Sequence, residues 1–265
     1  MTLTVTRAVP GLDEQAVRRA LDVVMDPELD EPITDLGFVR SVDVHENGVQ
    51  VHLRLPTSFC SPNFAYLMAS DAKDALTALP GVERVVVELD DHHDSDIINR
   101  GLAADAGYKG TFGPEAASDL EDLRMTFRRK AHTAAMERVL TDLLRARPGL
   151  EESRLGAVTL ADLPTGPATS ALLRRRAALG LPEAPSSVVM VDEHGVGYAP
   201  EEVPLRLRRA RSTRISIDGN AHFCRALLRT RYPGSEEDQT YRAEGAEPGD
   251  PTFIPLTSLT VKENA

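Results

Sequence analysis

Two short signals about thirty residues apart carry the side chains best suited to chemistry: Met25-Asp26-Pro27-Glu28 and Pro56-Thr57-Ser58-Phe59-Cys60-Ser61-Pro62. Together they offer one thiol and two carboxylates at one end of a small α/β unit. A soft thiolate beside hard carboxylate oxygens suits iron or zinc better than calcium. Cys60 falls just before a helix start, where unpaired backbone N–H groups and the helix dipole favour an anion, and so a metal ligand or a nucleophile. Free cysteines also serve as small buried hydrophobes, and Asp-Pro-Glu also serves as plain turn chemistry. Cys224, mid-helix among Phe223, Leu227 and Leu228, reads as such a core thiol.

A second ligand-rich run is Asp90-Asp91-His92-His93-Asp94-Ser95-Asp96. It lacks the fixed spacing of a HExxH site, and adjacent side chains point apart in an extended chain. An acidic, capped helix start explains it plainly; if one histidine ligates a metal, His92 is the candidate. The thiol-enzyme alternative takes Cys60 as nucleophile with His92 or His52 as base. The sequence holds no GxxxxGK[ST], GxGxxG or HExxH pattern, which removes several common enzyme classes.

The elements that must position these groups follow from periodicity. Residues 13–25 predict a helix, with Asp13 as N-cap and Val17, Ala20, Leu21 and Val24 on one stripe. Asp26-Pro27 stops it. Val42 and Val44, then Val49, Val51, Leu53 and Leu55, alternate about an Asn47-Gly48 turn and predict a hairpin. Ser61-Pro62 opens a helix with the stripe Phe64, Leu67, Met68, Ala72, Ala75 and Leu79, and 82–89 is a β-branched strand.

The expected class is therefore α+β, with an N-terminal α-β-β-α-β domain at 12–90 built on a small sheet. A helical extension at 91–149 follows, with helices near 95–105 and 115–146. Residues 150–232 predict a mixed α/β region: a helix at 168–179, a strand at 188–191, a turn at Glu193-His194-Gly195, an Arg-rich strand within Leu205–Ile217 and a helix at 220–231. An acidic, Gly- and Pro-rich tail, 233–265, is expected to be poorly ordered as far as Phe253.

The chain has 265 residues, 42% hydrophobic and 27% charged, enough for a real core. A net charge of −11 argues against non-specific nucleic-acid binding. No run approaches the ~20 apolar residues of a membrane span, and the N-terminus has no signal-peptide pattern, so the cytoplasm is the expected compartment. Two cysteines supply neither a disulfide framework nor the four thiolates that an iron–sulfur cluster usually takes. Any cluster held here draws further ligands from a second subunit, a client or other side chains.

Asp26-Pro27-Glu28, Asp35-Leu36-Gly37-Phe38-Val39, Thr57 to Pro62 and Pro80-Gly81-Val82 resemble the small iron–sulfur assembly domain of SufT-like and PaaD-like proteins. The likeness covers about residues 12–90. Ser61 departs from it, standing between Cys60 and Pro62 where the family has Cys-Pro. Asp91-His92, Ile98-Asn99, Thr111-Phe112 and Leu123 to Ala131 resemble longer bacterial members found beside soluble diiron monooxygenases.

The resemblance implies a non-enzymatic maturation factor that holds iron or an iron–sulfur cluster transiently through Cys60, with Asp26, Glu28 and Thr57 shaping the pocket. Its partners would be other assembly factors and a client metalloenzyme such as a diiron oxygenase, with a homodimer as a further option. A scaffold that keeps the fold without the metal remains the other reading beside the thiol enzyme, and Ser61 keeps it open.

Overall fold

The computed structural model describes residues 12–116, 120–242 and 254–255. They divide into two units. The first comprises the described residues up to Leu120, joined by Ala221–Tyr241 and Ile254–Pro255; the second runs from Glu121 to Asn220 and includes Arg242.

In the first unit, α1 (Glu14–Leu21) starts as predicted: the Asp13 carboxylate accepts the Ala16 N–H at 2.7 Å. It ends four residues earlier than its periodicity suggests. Val24 N–H turns back to the Leu21 carbonyl, and Met25–Asp26 (β1) pairs antiparallel with Glu31–Pro32 (β2). Asp-Pro-Glu therefore sits in a strand–turn–strand and not at a helix end. Asp26 Oδ1 accepts the N–H groups of Glu28 and Leu29, each at 2.9 Å, which satisfies the turn from within.

The hairpin is β3 (Val39–His45) against β4 (Gly48–Arg54), and β5 (Arg84–Asp90) adds parallel to β4, giving the sheet order β3-β4-β5. α2 (Pro62–Thr77) makes the crossover, with Ser61 as N-cap and Pro62 in its first turn. The hairpin turn lies one residue before its expected centre: His45 pairs with Gly48, leaving Glu46-Asn47 as the loop. Glycine at 48 answers to β5 rather than to the turn, because a Cβ there would lie 2.4 Å from the Arg84 carbonyl oxygen. Gly48→Ala is accordingly expected to cost about 1–3 kcal/mol, the range for overpacking, read as a lower urea midpoint. An unchanged midpoint would show that β5 yields freely at this point.

Val17, Leu21, Leu36, Phe38, Val51, Leu53, Ala69, Ala72 and Leu76 form the core of this unit. α2 is covered on a wider arc than its predicted stripe. Ala65, Tyr66 and Ala69 are buried as well. Tyr66 packs on Tyr108 and Phe112 of α4 (Gly107–Phe112), which follows α3 (Ser95–Ala103).

The second unit is helical. α5 (Leu120–Ala146) begins five residues after the predicted start, and residues 117–119 lie outside those described. α6 (Pro167–Ala178) matches its prediction closely. Among the described residues of 150–232 there is no strand. Val188 and Val191 form single bridges only, to Thr159 and Gly197. The Arg-rich strand and the helix after it are one helix, α7 (Val203–Arg231). Its buried positions, Val203, Leu207, Ala210, Ala221 and Leu228, recur at helical spacings, so the alternation of Arg with apolar residues misled. Residues 203–220 of α7 belong to the second unit and 221–231 to the first. Fully buried Arg176 donates to the carbonyls of Pro182, Val188 and Val189, so it fixes the loop that sequence reads as a strand.

The segment after α7 is ordered where composition predicts disorder. A 3-10 turn at Ser235–Asp238 and β6 (Thr240–Tyr241) lead into a short pairing with β7 (Ile254–Pro255). Gln239 is buried, and its side-chain N–H donates to the Arg225 carbonyl at 3.1 Å. The rest of the predicted tail lies outside the described residues.

Candidate functional site

Cys60 lies on the loop from β4 to α2, one residue before the helix cap, and is half-buried. Thr57 Oγ1 is 3.4 Å from its sulfur. That hydroxyl accepts the Phe59 N–H at 3.2 Å, so its own proton is available to the sulfur. Phe59 projects outward with 81% of its surface exposed.

His92 is buried and reaches the backbone of the thiol loop. Asp94 N–H donates to its Nδ1 at 3.0 Å, which places the ring proton on Nε2, and Nε2–H donates to the Cys60 carbonyl at 2.8 Å. With both ring nitrogens engaged, His92 fixes the backbone of the thiol loop. His52 faces Gln50, Glu88 and Asp90 on the sheet. Neither imidazole is hydrogen-bonded to the Cys60 sulfur, so the pairing that thiol catalysis needs is not formed between these residues.

Asp26 is buried, and burial pushes its carboxyl up to about 7, against the pull of the Leu29 and Glu28 N–H groups; the Glu28 and Glu31 carboxylates add to the rise. A carboxyl raised from 3.8 to about 7 on folding contributes stability below its unfolded value and loses it as pH climbs through 7. Holding it ionised at pH 8 costs on the order of 4 kcal/mol at the upper limit, at 1.36 kcal/mol per unit. Asp26→Asn is therefore expected to gain in melting temperature over the wild type as pH rises from 5 to 8. A difference independent of pH would refute the buried carboxyl.

The site contains a residue that sequence reading placed elsewhere. Cys224 is half-buried, not sealed in the core. Burial, then the negative charges of Asp26, Cys60 and Glu28, push its thiol up to about 12. Like Cys60, it packs against the core of the first unit. Arg231, two turns further along α7, donates to the Leu55 carbonyl at 3.1 Å and Ser58 Oγ at 2.8 Å, and also to the Asp91 carbonyl. Arg225 donates to Glu31 Oε2 at 2.6 Å and the Thr240 carbonyl at 2.8 Å. Gly37 of the Asp-Leu-Gly motif adopts φ +76°, and its carbonyl accepts Arg54 Nε–H at 3.0 Å. A Cβ at Gly37 would lie 3.0 Å from Gln239. The Asp26 and Cys60 motifs thus meet residues 221–241. The usable sequence signal was the i, i+4, i+7 spacing of Cys224, Leu228 and Arg231.

Thiol and carboxylate are donor types that suit iron. Among the described residues, however, no group of three or more His, Cys, Asp or Glu side chains is arranged to hold a metal ion. No helix among them is long and apolar enough to cross a membrane.

An α-β-β-α-β unit with a cysteine loop entering its second helix defines a class, and residues 14–89, from α1 into β5, match the family described as iron–sulfur cluster assembly protein. The chain belongs to this family through that segment. Over 90 residues it is 34% identical to an uncharacterized protein of Methanocaldococcus jannaschii, covering 34% of this chain and 93% of that protein. It is 32% identical over 76 residues to the Fe–S protein maturation auxiliary factor YitW of Bacillus subtilis, covering 29% and 74%. The iron–sulfur cluster carrier protein of Mycobacterium leprae is 40% identical over 78 residues, covering 29% of this chain. The chain spans only 20% of that carrier's length. No solved structure matches it significantly.

Proposed function

We propose that this protein is a maturation factor that takes iron or an iron–sulfur cluster as cargo on Cys60 and passes it to a client metalloenzyme. The observation that carries this reading is the Cys60 loop. Its sulfur keeps a single weak hydroxyl contact, while His92 and Arg231 fix the surrounding backbone. Loop fixation without strong bonds to the sulfur leaves the thiolate available to a metal. Thr57 orients the sulfur, and in this reading the Asp26 and Glu28 carboxylates help shape the cargo pocket. Metal binding displaces the thiol proton to solvent. Because the chain contains two cysteines, at least two of the four usual cluster thiolates come from outside it, from the client or a second copy. That sharing suits a transient holder. Exposed Phe59, next to the thiol, gives an incoming client an aromatic contact.

The carrier and maturation-factor relatives support a role in iron–sulfur cluster assembly. For the client, a multicomponent diiron monooxygenase rests on the resemblance of segments within 91–131 alone. The test is transfer. The chain, loaded anaerobically with ferrous iron and sulfide, is mixed with an apo-ferredoxin, and holo-ferredoxin formation is followed with and without a chelator. Chelator-resistant transfer is expected. Transfer that the chelator abolishes would mean free iron, not hand-over.

A further inference from the structure

We infer that Cys224 is a second cargo ligand, forming with Cys60 a two-thiolate pair whose members come from α7 and from the loop before α2. This rests on the reading of Cys60 as the cargo thiol and assigns that site a residue outside the family segment at 14–89.

Residues 221–231 are clamped on both sides of the site. At one side Arg225 binds Glu31, on the strand paired with Asp26. At the other, Arg231 binds Leu55 and Ser58, on the loop that carries Cys60. Cys224, Leu228 and Arg231 follow i, i+4 and i+7, so they share one helix face. Leu228 is fully buried in the core that Cys60 and Cys224 both pack against. The face that Arg231 anchors therefore carries Cys224 to the space between the Asp26 turn and the Cys60 loop. Phe223 and Leu227 are exposed, so Cys224 is not simply part of an apolar cluster of its neighbours.

Carboxylates near a thiol attract a metal cation to it. Iron binding then forms an Fe–S bond at Cys224 and releases its proton to solvent, with no change in oxidation state. A two-thiolate pair leaves the remaining coordination positions for cluster sulfide and for the receiving protein's ligands.

Cobalt(II) is a suitable probe, because its sulfur-to-metal charge-transfer intensity grows with the number of thiolates bound. The full chain, Cys60→Ser and Cys224→Ser are titrated with cobalt(II) anaerobically, with thermal melts confirming that each is folded. Wild-type intensity is expected to fall about twofold in either variant. If Cys60→Ser halves the signal and Cys224→Ser retains it, the pair is wrong and Cys60 acts without it. If Cys60→Ser also retains it, the underlying reading of Cys60 fails. Should Cys224→Ser unfold, Cys224→Ala is titrated in its place, under the same two criteria.

Discussion

Cys60→Ser is expected to lower the iron and sulfide retained after anaerobic loading by at least tenfold while leaving the melting temperature nearly unchanged. The thiol is half-buried at the edge of the core, and its sulfur's hydrogen bond to Thr57 is weak, so a side chain of the same size leaves the fold in place. Serine keeps the size and accepts the same hydroxyl. It is a hard, weakly acidic oxygen, poorly matched to the sulfur-rich coordination of a cluster. The loop itself is held by the Cys60 carbonyl, which bonds His92 whatever the side chain at 60. Loading measured by iron and acid-labile sulfide per chain, beside circular dichroism, separates the two effects. Wild-type loading in the variant would remove the thiol from the account and place the scaffold reading ahead.

The second large effect is in the other unit. Glu137 on α5 is fully buried, and its carboxylate accepts Arg211 Nε–H at 3.0 Å, Arg214 Nε–H at 2.5 Å and Thr141 Oγ1–H at 2.8 Å. Burial alone would raise its carboxyl, but these bonds and the Arg214 charge hold it below the usual range. Glu137→Ala strips two arginines of their shared anion and leaves a void in place of a fully buried side chain. Both arginines are partly exposed and can turn to water, so the cost falls near the low end for a broken buried pair, about 3 kcal/mol. Amide hydrogen exchange over 131–143 should speed up accordingly, with cobalt binding at Cys60 unaffected. Unchanged protection there would show that α5 is held to the 203–220 stretch of α7 without Glu137, by apolar packing and the Arg138–Asp218 pair.

Much of the first unit was legible because each of its elements is signalled locally. Asp13 caps α1 through its own side chain, the hairpin alternates strictly, and Ser61-Pro62 opens α2 as the rules of first-turn proline require. The misread pieces are those decided by distant partners. Met25 and Asp26 continue the helical pattern of α1, yet pairing with Glu31–Pro32 takes them into a strand. Residues 205–217 alternate like a strand, and only the burial of Leu207 and Ala210 in the second unit's core shows the helix.

The site was half visible for the same reason. Thr57 and Cys60 interact within four residues, so sequence could bring them together. His92 stood out in the sequence, but its bond to the Cys60 carbonyl, 32 positions away, did not. Cys224 was assigned to the core from Phe223, Leu227 and Leu228; only Leu228 is buried, and Cys224 sits at the core's edge. What sets its surroundings is Arg231 reaching Ser58, a contact 173 residues apart that no local pattern announces.

Metal and acid-labile sulfide analysis of the wild-type chain, purified without exposure to oxygen, tests the central claim most directly. The account predicts iron and sulfide together, in comparable amounts, both lost on incubation with an apo-acceptor protein. Neither iron nor sulfide, after loading under reducing conditions as well as on purification, would contradict it.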